Sequence, residues 1–266
     1  MYVHSAPGGF LRVYAKTKKT QQLRLTYNYW RKGGYQIGSE DYRWQYVRSK
    51  INNRFLFFIF NIVFISTAQS LLLLAITTPT YNFLLLSQLK DTATATATKA
   101  FALPDLLFSR FAFALIIIEY FADQQQWQFH LAKADYHKNA RISEPYKDQF
   151  TPEDLERGFV INGLWSLSRH PNFAAEQAFW LTLYLWNAYR TDSYLQWTGV
   201  GVVGYLLIFQ GSTPLTESIS ASKYPEYSEY QARVGRFIPR FSVKPRYKGS
   251  KARKQKAEQK AEQKTE

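Results

Sequence analysis

The sequence predicts an all-α protein, a polytopic transmembrane helical bundle of about four spans with both termini in the cytosol. Three observations carry that expectation. No charged residue occurs in positions 55–89 or 193–216, and each stretch reaches the roughly 20 apolar residues that one helical bilayer crossing needs. Aromatic residues make up 17% of the chain and gather in apolar runs instead of interleaving with lysines. Lysine and arginine collect before the first apolar run and after the last, so an even number of crossings puts both basic blocks on the cytosolic side.

Residues 1–53 read as a basic, aromatic segment at the membrane surface. Arg12, Lys16, Lys18, Lys19, Arg24, Arg31, Lys32, Arg43, Arg48 and Lys50 stand there against Glu40 and Asp41 alone. Within the block, LRLTYNYWRKGGYQIGSEDYRW is broken by Gly33, Gly34 and Gly38 and suits an interfacial turn with its rings at headgroup level. Residues 54–245 form the membrane domain. The first span covers residues 55–76, and the apolar run continues over 81–89. It either tilts as one long helix or breaks at Pro79 into a fifth, short or re-entrant segment. DTATATATKA, residues 91–100, is a low-complexity exposed loop.

The second span, residues 101–122, holds Asp105, Arg110 and Glu119 inside it or at its ends. Charge inside a membrane is costly, so each should face a partner, a cavity or the interface. Residues 123–167 read mostly as a solvated connection, with a helix start at Thr151-Pro152-Glu153-Asp154. The third span covers 171–189, and the short turn RTDS leads to a fourth at 194–213. Residues 246–266 form a lysine-rich tail, disordered or loosely helical.

Composition narrows the function. The net charge of +14 would suit a nucleic-acid binder, but its placement at the ends of apolar runs points to the lipid bilayer as partner and to no nucleic acid. Without cysteine there is no disulfide, no thiolate nucleophile and no thiolate metal site. His4, His130, His137 and His170 are too few for a multi-histidine iron cluster, so no metal is expected. The first 50 residues lack the apolar core of a cleavable secretory signal. GVGVVG, residues 199–204, matches the dinucleotide fingerprint letter for letter but lies inside a span. There its small residues serve close helix approach.

The chemistry concentrates in NGLWSLSRHPNFAAEQAFW, residues 162–180. Proline suits the first helical turn, so a helix starts near Pro171, and its free N–H groups lie beside Arg169 and His170 as a seat for phosphate or another anion. Asn172 and Glu176, four apart, share one helix face, and a carboxylate there suits ribose hydroxyls or an amide. Glu119 and Asp123, also four apart, put two carboxylates at the exit of the second span. An interfacial helix cap with snorkelling charges is the plainer reading of the same residues.

GLWSLSRHPNFAAE resembles the C-terminal signature of the steroid 5-alpha-reductase-like membrane proteins, GLW-x-x-SRHPNY-x-GE, in the branch common in fungi and bacteria. LRLTYNYWRKGGYQIGSEDYRW, EYFADQQQWQFH and KYPEYSEYQARVGRFIP extend the resemblance over most of residues 23–241. It implies NADPH as cofactor and reduction of a carbon–carbon double bond conjugated to a ketone, in a lipid-soluble substrate of the steroid or enone type. It also places Asn172, Glu176, Glu119 and Asp123 at cofactor-contacting positions; Arg169 and His170 are typical of the branch, and phosphate contact is the physical inference for them. Tyr27 and Tyr29 are the candidates for proton donor, and the endoplasmic reticulum is the expected membrane in a eukaryote.

Two departures bear on this. Phe173 and Ala175 stand where the signature has Tyr and Gly, and members of that family carry further spans before the RLTYNYW stretch. Two other readings follow: an S-adenosylmethionine-dependent methyltransferase of the isoprenylcysteine or phospholipid type, which carries a similar RHP-x-Y stretch, and a truncated, non-catalytic homologue.

Overall fold

The computed structural model describes residues 8–39, 41–88 and 102–240, so the expectations for residues 91–100 and 246–266 lie outside the described residues. Among the described residues every regular element is helical, and Ser168 and Gly235 form one isolated parallel bridge. The chain divides into two units, Met1–Glu119 with Ala175–Thr216 and Tyr120–Ala174 with Glu217–Glu266.

In the first unit, α1 (Gly8–Arg31) replaces most of the expected interfacial turn. Tyr14, Thr17, Gln21, Arg24 and Asn28 are its buried positions, and their steps of three and four residues make one helical face. The turn is confined to the glycine-bearing residues that follow; there Gly33 has φ +75° and Gly38 φ +87°. Asp41 starts α2 (Tyr42–Ile51) by accepting from the Arg43 N–H at 2.9 Å. Asn53 starts α3 (Arg54–Phe60) by accepting from the N–H groups of Phe55 and Leu56 at 3.0 and 3.1 Å.

The helix then widens into a π-helical stretch, Asn61–Ala68, where the Thr67 hydroxyl donates to the Ile62 carbonyl five residues back at 2.8 Å, and continues as α4 (Gln69–Ile76). Arg54–Ile76 is thus a 23-residue helix with a mean hydropathy of 2.1 over an 18-residue stretch, the one described helix both long and apolar enough to cross a membrane. Most of its large apolar side chains, among them Phe55, Phe58, Val63, Leu71 and Leu74, face outward. The break expected near Pro79 falls at Thr77, and α5 (Thr78–Gln88) follows with Pro79 in its first turn.

Helix α6 (Leu103–Asn139) runs for 37 residues. Residues 123–139, expected as a solvated connection, are therefore its continuation. Helix α8 (Pro171–Thr191) begins where the proline signal placed it. Helix α9 (Gly199–Lys223) begins later than the apolar run, because Gln196 folds the preceding residues into a turn by donating to the Ser193 carbonyl at 2.6 Å and the Thr191 hydroxyl at 2.5 Å.

The core of the first unit joins Tyr14, Ile76, Leu115, Phe179, Leu183, Trp186 and Val202. Asp105 is fully buried and finds the partners its position demands: Trp186 Nε1 at 2.9 Å and Arg190 Nη1 at 3.2 Å. Gly201 explains the small residues of GVGVVG, since a Cβ there would stand 2.3 Å from the Ala75 carbonyl carbon. Gly201→Ala is expected to lose roughly 1–3 kcal/mol by overpacking. Gly211→Ala, whose Cβ meets nothing within 4 Å, serves as the neutral control in the same thermal-unfolding assay.

In the second unit, Phe129 and Ala132 of α6 pack with Phe150, Leu155, Val160 and Trp165. Thr151 and Asp154 form a reciprocal capping box on α7 (Pro152–Arg157), which fulfils the helix-start signal, and Gly158 ends it at φ +88°. Trp165 is fixed at both ends, donating from Nε1 to the Ala122 carbonyl at 3.1 Å and accepting at its own carbonyl from Tyr230 of α10 (Tyr227–Arg233) at 2.5 Å.

Candidate functional site

Each unit holds buried polar residues drawn together from several helices. In the first unit, α1 delivers Gln21 and Arg24 from its inner face, α6 delivers Glu119, α8 delivers Glu176 and Trp180, and α9 delivers Tyr205. Arg24 Nη2 lies 3.1 Å from Glu119 Oε1 and 3.1 Å from Glu176 Oε2, so one guanidinium bridges two carboxyl groups. Gln21 Nε2 also donates to Glu176 Oε2. The other oxygen of Glu176 accepts from Trp180 Nε1 at 2.7 Å and from the Tyr205 hydroxyl at 3.0 Å. Four donors thus fill the four lone-pair sites of Glu176 and fix its orientation. Glu119 is used less fully, for its Oε2 is buried without a hydrogen-bond partner, and so is Gln21 Oε1.

In the second unit, Asn172 Nδ2 donates to Asp123 Oδ1 at 3.0 Å. Arg169 makes a two-pronged pair with Glu217, Nε to Oε1 at 2.6 Å and Nη2 to Oε2 at 3.1 Å. Its Nη1 donates to the carbonyls of Gln231, at 2.9 Å, and Val234. His170 Nε2 lies 3.0 Å from Glu217 Oε1, and Gln231 Nε2 donates to Oε2 at 3.0 Å. The backbone closes the same knot, with the N–H groups of Arg169 and His170 donating to the carbonyls of Gly235 and Arg236 at 2.9 and 3.1 Å.

Burial works to raise the Glu217 carboxyl, but the bonds from His170 and Arg169, the Arg169 charge and the bond from Gln231 outweigh it and hold the group at about 2, against an ordinary 4.5. A depressed folded-state value contributes stability that is complete above the unfolded value and fades as pH falls from 4.5 towards about 2. A chemical-denaturation series across that window is expected to show the loss in the native chain and to show less of it in Glu217→Gln.

The predicted residues divide accordingly. Glu119 and Glu176 meet on Arg24 in the first unit, whereas Asp123, Asn172, Arg169 and His170 belong to the second. Of the anion seat expected beside Pro171, Glu217 and chain carbonyls take the side-chain donors of Arg169 and the N–H groups of Arg169 and His170. Tyr27 and Tyr29 lie on the exposed face of α1, Tyr27 against Trp30 and Tyr29 against Tyr35, and neither joins the carboxyl cluster. The tyrosine that does is Tyr205.

Gln21, Arg24, Trp180, Tyr205 and Glu217 escaped the sequence reading. A signal existed for the first two in the helical spacing of residues 14, 17, 21, 24 and 28. Among the described residues no group of three or more His, Cys, Asp or Glu could hold a metal ion.

These observations define an all-helical protein with charged groups buried inside apolar helices. The family model described as a protein of unknown function (DUF1295) matches residues 20–234, and the chain belongs to that family. It is similar to the uncharacterized protein C594.04c of Schizosaccharomyces pombe, with 40% identity over 230 residues, 86% of this chain and 63% of that protein. The chain therefore spans less than two thirds of its relative's length. No solved structure matches.

Proposed function

We propose that the protein is an integral membrane reductase that uses NADPH to saturate a carbon–carbon double bond conjugated to a ketone in a lipid-soluble substrate. The membrane part is supported by an inside-out distribution in the first unit. Gln21, Asp105, Glu119, Asn187, Thr198 and Thr213 are fully buried, whereas Phe58, Val63, Leu71, Leu107, Phe111, Val203 and Leu207 face outward. A bilayer rewards that arrangement, and water penalises it. Besides Arg54–Ile76, helices α6, α8 and α9, with 37, 21 and 25 residues, have the length for a crossing. Four spans with both termini in the cytosol satisfy the basic blocks at the two ends of the chain. In a eukaryote the endoplasmic reticulum is the membrane this reading assigns.

The observation that carries the reductase reading is the buried Arg24, Glu119, Glu176 and Tyr205 cluster. The polar set fits the uncharged parts of NADPH, because Glu119 Oε2 and Gln21 Oε1 are buried without a hydrogen-bond partner in the protein, and such atoms suit a carboxamide or a ribose hydroxyl. It does not fit the phosphates at Arg169 and His170, whose partner is Glu217. NADPH, when bound, supplies the hydride. The chain's own residues manage the proton. Glu176 holds the Tyr205 hydroxyl in the substrate-free protein, and when substrate binds that O–H turns from Glu176 Oε1 to the ketone oxygen, polarises it and protonates it as the double bond is reduced.

Tyr205→Phe is expected to lower turnover of an enone about 100-fold or more while leaving NADPH affinity within twofold. Unchanged turnover would remove Tyr205 from the chemistry. The methyltransferase and non-catalytic readings gain no specific observation from the geometry.

A further inference from the structure

We propose that the carboxyl pair of the first unit stores a proton, held on Glu119 and donated to the side-chain carbonyl of Gln21. The inference rests on the reductase reading for its use in turnover, although the proton itself can be tested without it.

Two carboxyl groups share the guanidinium of Arg24 in a site where Glu119 is fully buried and Glu176 and Arg24 nearly so. Fully ionised, this group would bury a net negative charge inside apolar helices, and an uncompensated buried charge neutralises by taking up a proton. The groups facing Glu119 are Gln21 and Arg24 from α1 and Glu176 from α8, with the Tyr205 phenol of α9 on the far oxygen of Glu176. Arg24 is the cation among them.

Hydrogen bonding says the same independently. Glu176 has a donor for each lone-pair site, which leaves no place on it for a hydrogen of its own. Glu119 Oε2 and Gln21 Oε1 are both acceptors, both buried and both without a partner. Two orphaned acceptors in one cluster are costly as they stand. A hydrogen on Glu119 Oε2 turns that atom into a donor and gives Gln21 Oε1 its partner, so one proton satisfies both atoms and removes the excess charge.

The stored proton is the one that reduction by NADPH consumes. The O–H bond of Tyr205 breaks as the substrate oxygen is protonated. With its O–H turned to the substrate, Tyr205 leaves a site on Glu176 free; the phenolate recovers its proton by way of Glu176 from Glu119, which meets Glu176 through a side-chain hydrogen bond and becomes a carboxylate paired with Arg24 until solvent reloads it. Atoms and charge then balance over one hydride and one proton per double bond.

Infrared spectroscopy of the purified protein at neutral pH, in light and heavy water and without cofactor, reads the proton directly. The native chain is expected to show the carbonyl stretch of a neutral carboxylic acid, shifted in heavy water and lost in Glu119→Gln. In Gln21→Met the band is expected to persist at higher frequency, because its acceptor has gone. Absence of the band from the native chain, its survival in Glu119→Gln, or an unmoved band in Gln21→Met would overturn the assignment. A failure of the reductase reading would show separately, as a chain that keeps the band and does not bind NADPH.

Discussion

Arg24→Met is expected to destabilise the protein by about 3–5 kcal/mol, because it leaves two buried carboxyl groups without the cation that bridges them. Methionine keeps much of the arginine stem's volume, so loss of packing contributes little. The measurement is the thermal or denaturant midpoint of Arg24→Met beside that of Arg24→Met/Glu176→Gln, which removes the charged acid along with the cation. Removing one acid along with the cation is expected to restore part of the loss, and the difference gives the coupling between the two residues. A loss equal in both variants would mean that Arg24 acts through its stem alone.

The second large effect belongs to Glu217→Leu. Glu217 is the acceptor for Arg169, His170 and Gln231 together, and removing it leaves the Arg169 guanidinium buried with carbonyls as its remaining partners. Stranding a charge in this way costs about 3–5 kcal/mol. The expected signature is local as well as global. Residues 231–236, tied to Ser168, Arg169 and His170 through their carbonyls, should lose hydrogen-exchange protection first. Protection unchanged there would deny Glu217 its part in holding the segment.

How much of this was legible in the sequence depended on whether the signal was local. Pro171 announced α8, Thr151 with Asp154 announced α7, and the glycines of GVGVVG announced a close approach, because in each case the deciding contact is within a turn or is a demand for small size. The helical class was visible for the same reason, since long charge-free runs leave few other ways to satisfy the backbone.

The site was less legible. Arg24 sits in a block so basic that it reads as solvated surface, and its burial becomes apparent when residues 14, 17, 21, 24 and 28 are placed on one helical face. Arg169 and His170 looked like an anion seat because the residue that fills it, Glu217, lies 47 and 48 positions away along the chain. Tyr205 was hidden in an apolar run, and nothing in its neighbourhood marks it as the tyrosine that reaches Glu176 across 29 positions.

The proposed reductase requires that the buried carboxyl cluster belong to an NADPH site. A titration of the detergent-purified chain with NADPH, and in parallel with S-adenosylmethionine, tests it most directly when thermal unfolding is followed. NADPH should raise the unfolding midpoint, with about 2.7 kcal/mol of stabilisation at a free concentration 100 times its Kd, and S-adenosylmethionine should leave the midpoint where it was. A midpoint unmoved by NADPH, or raised by S-adenosylmethionine alone, would contradict the account.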